Sequence, residues 1–267
     1  MKIALVPTIA LMLFAAALLT QASTNDSSSA AVTPVLVELF TSEGCSSCPP
    51  ADALLQKLDQ QPIPGEQLIV LSEHVDYWNH IGWRDPYSAR YYSDRQSQYG
   101  RRFGLDSVYT PQMVVDGTSE FTGSNSALAE KAFTKARGVA KISLVLSAVS
   151  FGSQNTLQAY VQTGPLLASY GVQEAEVYAA IALDHAESQV AHGENAGRKL
   201  AHTAVVRSID KIGTLRQGQA FTQDVQLKLV SGADSHNLRV IVFVQEPGQG
   251  RVIGVAMQDA KAIMATR

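Results

Sequence analysis

The 267-residue chain carries 21 lysines and arginines against 24 aspartates and glutamates, and 46% of it is apolar. A net charge of −3 without a long basic block leaves no footprint for nucleic acid or for an acidic membrane surface. The apolar content suffices for a sizeable core, and the length reaches the range in which chains divide into two domains.

The chain opens on Lys2, an apolar run over residues 3–19 and then small polar residues, the pattern of a secretory signal peptide, with a cleavage site after Ala22. As a retained membrane anchor the run is short and interrupted by Pro7. Residues 23–33, rich in Ser, Thr, Asn and Ala, are too poor in large apolar groups to offset ordering entropy and read as a flexible tether. The mature protein is therefore expected to be exported, with no membrane span after cleavage: periplasmic in a Gram-negative source, extracellular otherwise.

From residue 34 to about Gly138, short apolar runs alternate with helical periodicity. Residues 35–40 read as a strand, and Ala51, Leu54, Leu55 and Leu58 fall on one face of a helix. Residues 68–71 then read as a second strand. Strand, helix, strand is the order of a βαβ unit, whose parallel strands need a crossover. A later helix is expected over 126–136, with Leu128, Ala132 and Phe133 on one face. After Gly138 the period becomes two. Strands are predicted at about 142–148, 157–162, 177–183, 199–210, 221–230 and 238–245, separated by turn signals such as "GENAG", "GTLRQG" and "EPGQG". Residues 139–267 are accordingly expected to form an antiparallel β-sandwich domain.

Cys45 and Cys48, the two cysteines of the chain, sit in "FTSEGCSSCPPAD", between the first strand and the first helix. Thiol exchange needs an accessible thiolate, a second thiol to release a mixed disulfide, and a backbone that stabilises negative sulfur. Cys45 at the strand-to-helix turn faces the first free N–H groups of the helix, which makes it the nucleophile and Cys48 the resolving thiol. Pro49 and Pro50 are tolerated because early helical N–H groups lack intrahelical partners. A structural zinc site wants four ligands, and there is no second cysteine pair. A structural bridge across three residues would constrain the unfolded chain only modestly. Glu43 stands two residues before Cys45, where a carboxylate opposes thiolate formation; Ser46 and Ser47 could offset it by donating to sulfur.

Further on, "VYTPQMVVDG" places a Thr-Pro pair before an apolar strand ending in Asp-Gly. With the Cys-x-x-Cys motif, this resembles the thioredoxin superfamily. The resemblance implies an α/β thioredoxin-like domain over 34–138 with a helical insertion at about 74–104. It also implies a cis peptide before Pro111 beside the thiols, with Thr110 offering backbone groups to an extended substrate. Glu38 on the first strand resembles the family's buried acid, which assists proton transfer from the resolving thiol, although this chain has Glu there and one additional residue before the first cysteine. A solvent-exposed strand-end carboxylate is the alternative for Glu38. The set "SEGCSSCPPAD", "DYWN", "GWRDP", "YTPQ" and "GENAGRKLAHTAVVR" also resembles a bacterial family of exported thioredoxin-like proteins catalogued as a domain of unknown function.

The insertion is rich in aromatic residues. Trp78 and Trp83 are candidates for a peptide-binding wall near Cys45, while Tyr87, Tyr91 and Trp83 could equally fill a helical core. His74, Asp76 and His80 could be drawn as metal ligands, but structural or surface roles are favoured for them and no metal is assigned. In the second half, His192, Glu194, Asn195, Arg198, His202 and Arg207 form the most polar stretch; a solvated turn is favoured over a recognition site facing the thiols. The functional expectation is an exported thiol-disulfide oxidoreductase acting on protein or small-molecule thiols or disulfides, with an unidentified redox partner. It needs no organic cofactor, since the electrons reside in the cysteine pair. Its alternatives are Cu(I) binding or delivery by the two thiolates, alone or with His74 or His80, and a non-enzymatic adaptor with an inert bridge.

Overall fold

The computed structural model describes residues 32–61, 66–153, 155–229 and 234–259. The segment expected to be a signal peptide, 1–22, and the expected tether up to residue 31 lie outside the described residues. The first strands are β1 (Thr33–Thr41) and β2 (Glu66–His74), joined through helix α1 (Pro49–Gln60). Helix α2 (Arg90–Phe103), strands β3 (Gln112–Val115) and β4 (Ser119–Thr122) and helix α3 (Ser126–Arg137) follow. The rest is β5 (Leu144–Gly152), β6 (Thr156–Thr163), β7 (Glu174–Gln189), β8 (Lys199–Arg216), β9 (Thr222–Lys228), β10 (Leu238–Gln245) and β11 (Val252–Asp259).

A thioredoxin-like α/β domain followed by a separate sandwich is not what these elements build. With eleven strands against three α-helices among the described residues, the fold is mostly β. One mixed eight-stranded sheet, in the order β11-β10-β7-β8-β2-β1-β3-β4, runs through both halves of the chain. The join is a parallel contact of β2 with β8 at Ser72 and Val205. β1 lies parallel to β2 and antiparallel to β3. β7, β8, β10 and β11 are antiparallel neighbours. The reason is edge chemistry: β2 pairs with β1 on one side, and its free edge would leave backbone donors and acceptors without partners unless another strand met it.

β5, β6 and β9 form a second, three-stranded sheet. Leu146, Leu157, Val161, Val225 and Leu227 of that sheet pack on Val177, Ile181, Val240 and Val242 of the large one. The facing of two sheets expected after Gly138 is present, but one of its layers is shared with the first half. Strand alternation divides β1 between the two faces of the large sheet. Val35, Val37 and Leu39 meet Ala51 and Leu55 of α1 and Phe133 of α3. Leu36 and Phe40 point to the other face, toward Tyr92 and Tyr99 of α2. Among the described residues, no helix is long and apolar enough to cross a membrane.

Candidate functional site

The site is built where β1 ends and α1 begins. Cys48 caps α1, and its carbonyl oxygen accepts the N–H groups of Ala51 (2.8 Å) and Asp52 (3.1 Å). Pro49 and Pro50 occupy the first two helical positions, where the missing N–H groups cost nothing, and Asp52 lies in the first turn, where a negative charge suits the helix dipole. Cys45 and Cys48 are joined as a disulfide, with Cα atoms 5.4 Å apart. Neither has solvent-exposed surface, whereas Ser46 and Ser47 between them are exposed. The hydroxyl of Ser47 lies 3.4 Å from Cys45 Sγ.

The aromatic insertion and the Thr-Pro segment meet this turn. A Cβ at Gly44 would come within 3.1 Å of Trp78 Cβ, so Trp78 packs on the residue preceding Cys45. The indole Nε1–H of Trp78 donates to Thr110 Oγ1 at 2.7 Å. The Thr110–Pro111 peptide is cis. Pro111 is buried, and with Leu39 and Ala51 of α1 it converges on Gly123. Trp83 donates its Nε1–H to Glu43 Oε2 at 2.7 Å. Of the residues singled out in the sequence, the structure therefore brings Trp78 and Trp83 to the loop that carries Cys45 and Cys48, with Thr110 held to it through Trp78 and Pro111 packed with Ala51 of α1 around Gly123.

Glu38 is placed elsewhere. It is fully buried, which removes the solvent-exposed alternative, but it shares the parity of Leu36 and Phe40 and faces α2. There Arg95 Nε donates to it at 2.7 Å and the Tyr99 hydroxyl at 2.5 Å. Arg95 also donates to Gln245 and Gln249, from the second half of the chain. Beside them Glu73 is buried, which pushes its pKa well above the ordinary carboxylate value; the neighbouring Glu38 charge adds to the rise and Arg95 only partly opposes it. The site assigns Glu38 to this ion-pair network on the face of the sheet opposite α1.

The second half contributes more than a solvated turn. Between β7 and β8, the Asn195 side chain is fully buried and donates its Nδ2–H groups to the carbonyl oxygens of Glu43 and Cys45, both at 2.9 Å. Arg198 donates to Asn195 Oδ1 at 2.9 Å. Glu194 accepts the N–H of Ser46 at 3.1 Å, and Gly193 lies against Trp83. The "GENAG" stretch is thus a turn, and it clasps the cysteine loop.

Beneath that clasp lies a buried polar cluster. His202 of β8 stands 3.4 Å from Glu43 Oε1 through Nε2 and 3.7 Å from Asp52 Oδ1 through Nδ1. These are ion-pair separations, and neither ring nitrogen has an aligned hydrogen bond. Burial penalises the His202 cation, but Asp52 and Glu43 outweigh it and push its pKa up to about 10. The His74 ring lies edge-on to His202 at 4.7 Å, and its Nδ1 is 2.7 Å from Asp85 Oδ2. Burial opposes ionisation of Asp85; His74 and the N–H groups of Glu43 and Tyr87 outweigh it and hold the pKa low. Asp52 and Asp85 had drawn no attention in the sequence. His74, Asp76 and His80 do not converge: Asp76 accepts from Ser93, and His80 is exposed. Among the described residues, no three His, Cys, Asp or Glu side chains are grouped to hold a metal ion.

A family model described as "Protein of unknown function (DUF1223)" matches residues 36–245, which span β1 to β10 and every residue of the site. The chain belongs to this DUF1223 family. Among solved structures, it is similar to a protein from Agrobacterium tumefaciens, with a TM-score of 0.65 and 24% identity over 86% of this chain and 95% of that one. HBP35 of Porphyromonas gingivalis is similar with a TM-score of 0.63 and 16% identity, over 86% of this chain and 76% of that one. At these identities the likeness is one of fold. No curated protein is significantly similar to the DUF1223 chain.

Proposed function

We propose that the protein is an exported thiol-disulfide oxidoreductase of thioredoxin-type chemistry, working through Cys45 and Cys48. The observation that carries the reading is the disulfide at the start of α1, with Trp78 bridging from Gly44 beside Cys45 to Thr110 of the Thr-Pro segment. In the forward step a substrate thiolate attacks Cys45 Sγ. The Cys45–Cys48 bond breaks and its electron pair leaves on the Cys48 sulfur. A second substrate thiolate then attacks the substrate sulfur of the mixed disulfide and expels Cys45 as thiolate. Two substrate thiols are oxidised to a disulfide, their protons are released or taken up by the two protein thiolates, and the reverse sequence reduces a substrate.

Proton handling passes in this reading from Glu38 to groups on the α1 side, because one strand position separates the two faces. An extended peptide would run past Thr110, Trp78 and Trp83. The test is exchange between the intact protein and a small disulfide, followed in wild type and in Cys45→Ala. Wild-type exchange that disappears in Cys45→Ala supports the assignment; equal rates in the two proteins reject it.

One observation favours a second reading, a non-enzymatic protein with an inert bridge: both cysteines are without exposed surface in the disulfide state. Resistance of the bridge to dithiothreitol until the whole chain unfolds would select that reading.

A further inference from the structure

The buried cluster beneath the cysteine turn poses an electrostatic problem. Glu43 lies two residues before Cys45 and is fully buried, and Asp52 lies in the first turn of α1, four residues after Cys48. Carboxylates near a sulfur disfavour its thiolate, and a low-dielectric interior enlarges that effect. The groups around the cluster come from every packed element. Glu43 belongs to the cysteine loop, Asp52 to α1, His74 to β2, and Asp85 and Tyr87 to the segment before α2. Arg207 of β8 lies over the Tyr87 ring at 5.5 Å. His202, almost fully buried, is the side chain at ion-pair distance from both carboxylates.

From this geometry we infer that His202 is the counter-charge that permits a thiolate at Cys45 beside Glu43 and Asp52. The inference rests on the thiol-exchange reading above. Glu43 Oε1, Asp52 Oδ1 and both His202 nitrogens are buried without aligned hydrogen bonds, so the cluster is tied by charge more than by directional bonds. Buried polar atoms left in that state are costly as pure scaffolding. They suit a site whose net charge must adjust when a sulfur gains or loses an electron pair. His202 acts through the carboxylates, as a positioning residue for charge, and β8 brings it from the second half of the chain to the cysteine loop.

The experiment is a pH titration of the cysteine thiolate by its ultraviolet absorbance in the reduced full chain, with Cys48→Ala used to assign the signal to Cys45. His202→Gln should raise the Cys45 midpoint by about one pH unit or more, a roughly tenfold loss of thiolate at fixed pH below the midpoint. Glu43→Gln should lower the midpoint, and the double variant should return it toward wild type. A merely structural His202 predicts no such opposed, cancelling shifts. A folded His202→Gln protein with an unchanged midpoint overturns the inference. Should that variant not fold, the comparison of Glu43→Gln with the double variant decides: equal midpoints overturn it, and a lower midpoint in Glu43→Gln supports it. If wild-type Cys45 forms no thiolate and exchanges with no disulfide, the thiol-exchange reading fails and the inference with it.

Discussion

Replacing Asn195 by Ala removes the two 2.9 Å hydrogen bonds that hold the Glu43 and Cys45 carbonyl oxygens under the β7–β8 turn. Both bonds are buried, and a buried acceptor left without a donor costs about 1–3 kcal/mol. The Cys45 carbonyl keeps the Cys48 N–H at 3.2 Å, so the Glu43 carbonyl is the acceptor left without a donor, and about 1–3 kcal/mol is the loss expected. Because the cysteines are without exposed surface, reduction requires the turn to open. If closing is fast relative to chemistry, the reduction rate follows the open population. Weakening the closed state by that amount raises the open population by about fivefold to about 150-fold. The assay is the rate of Cys45–Cys48 reduction by dithiothreitol, read by mass-tagging the released thiols, with global stability measured in parallel by urea unfolding. Glu194→Gln weakens only an exposed contact to the Ser46 N–H and should change the rate much less. A folded Asn195→Ala protein reduced at the wild-type rate would refute the idea that the turn governs access. So would a faster rate accounted for wholly by the drop in global stability.

Three further outcomes follow from buried groups. Since the folded-state pKa of His202 is raised from 6.5 to about 10, its stabilising contribution is fully present below about pH 6.5 and is lost as pH rises through about 10; urea midpoints of wild type should fall across that window more steeply than those of His202→Gln. Glu73 has a folded-state pKa raised above 4.5, so its contribution is present below about 4.5 and is lost as pH rises through the folded value. Glu73→Gln, which imitates the protonated form, should match or exceed wild-type stability at neutral pH, and a loss of more than about 1 kcal/mol would show that Arg95 needs the ionised carboxylate. Gly117 has φ +63°, and a Cβ there would lie 2.1 Å from the Gly250 oxygen; Gly117→Ala should cost roughly 2–4 kcal/mol in thermal or urea unfolding.

The elements readable in the sequence were those with strong local periods. Residues 35–40 and 68–71 fall within β1 and β2, the 3.6-residue stripe of Ala51, Leu55 and Leu58 lies on α1, and the expected later helix is α3. β4 is hard to read because its four residues are mostly polar, and β11 because Gly254 interrupts its apolar run. The shared sheet was illegible for another reason: the contact of Ser72 with Val205 joins residues far apart in the chain, and no local period reports it. Glu38 shows how thin the margin is in a strand. Its parity with Leu36 and Phe40 sets the carboxyl on the face opposite α1, where it meets Arg95, and a shift of one residue would reverse that. Cys45, Cys48 and Pro111 carried their own local signals. Asn195 and His202 did not, since a polar turn and a histidine on a strand acquire their meaning from the cysteine loop about 150 residues earlier.

The most direct test of thiol exchange at Cys45 uses Cys48→Ala, in which a mixed disulfide at Cys45 cannot be resolved. The folded full-length variant is incubated with an asymmetric small disulfide under native conditions, and adducts are mapped by mass spectrometry. Thiol exchange predicts a stable adduct on Cys45 in nearly every molecule, formed without unfolding and released by dithiothreitol. A Cys45 that stays unmodified in the native variant, yet reacts readily once the chain is denatured, would contradict the proposed chemistry and leave the cysteine pair as an inert bridge.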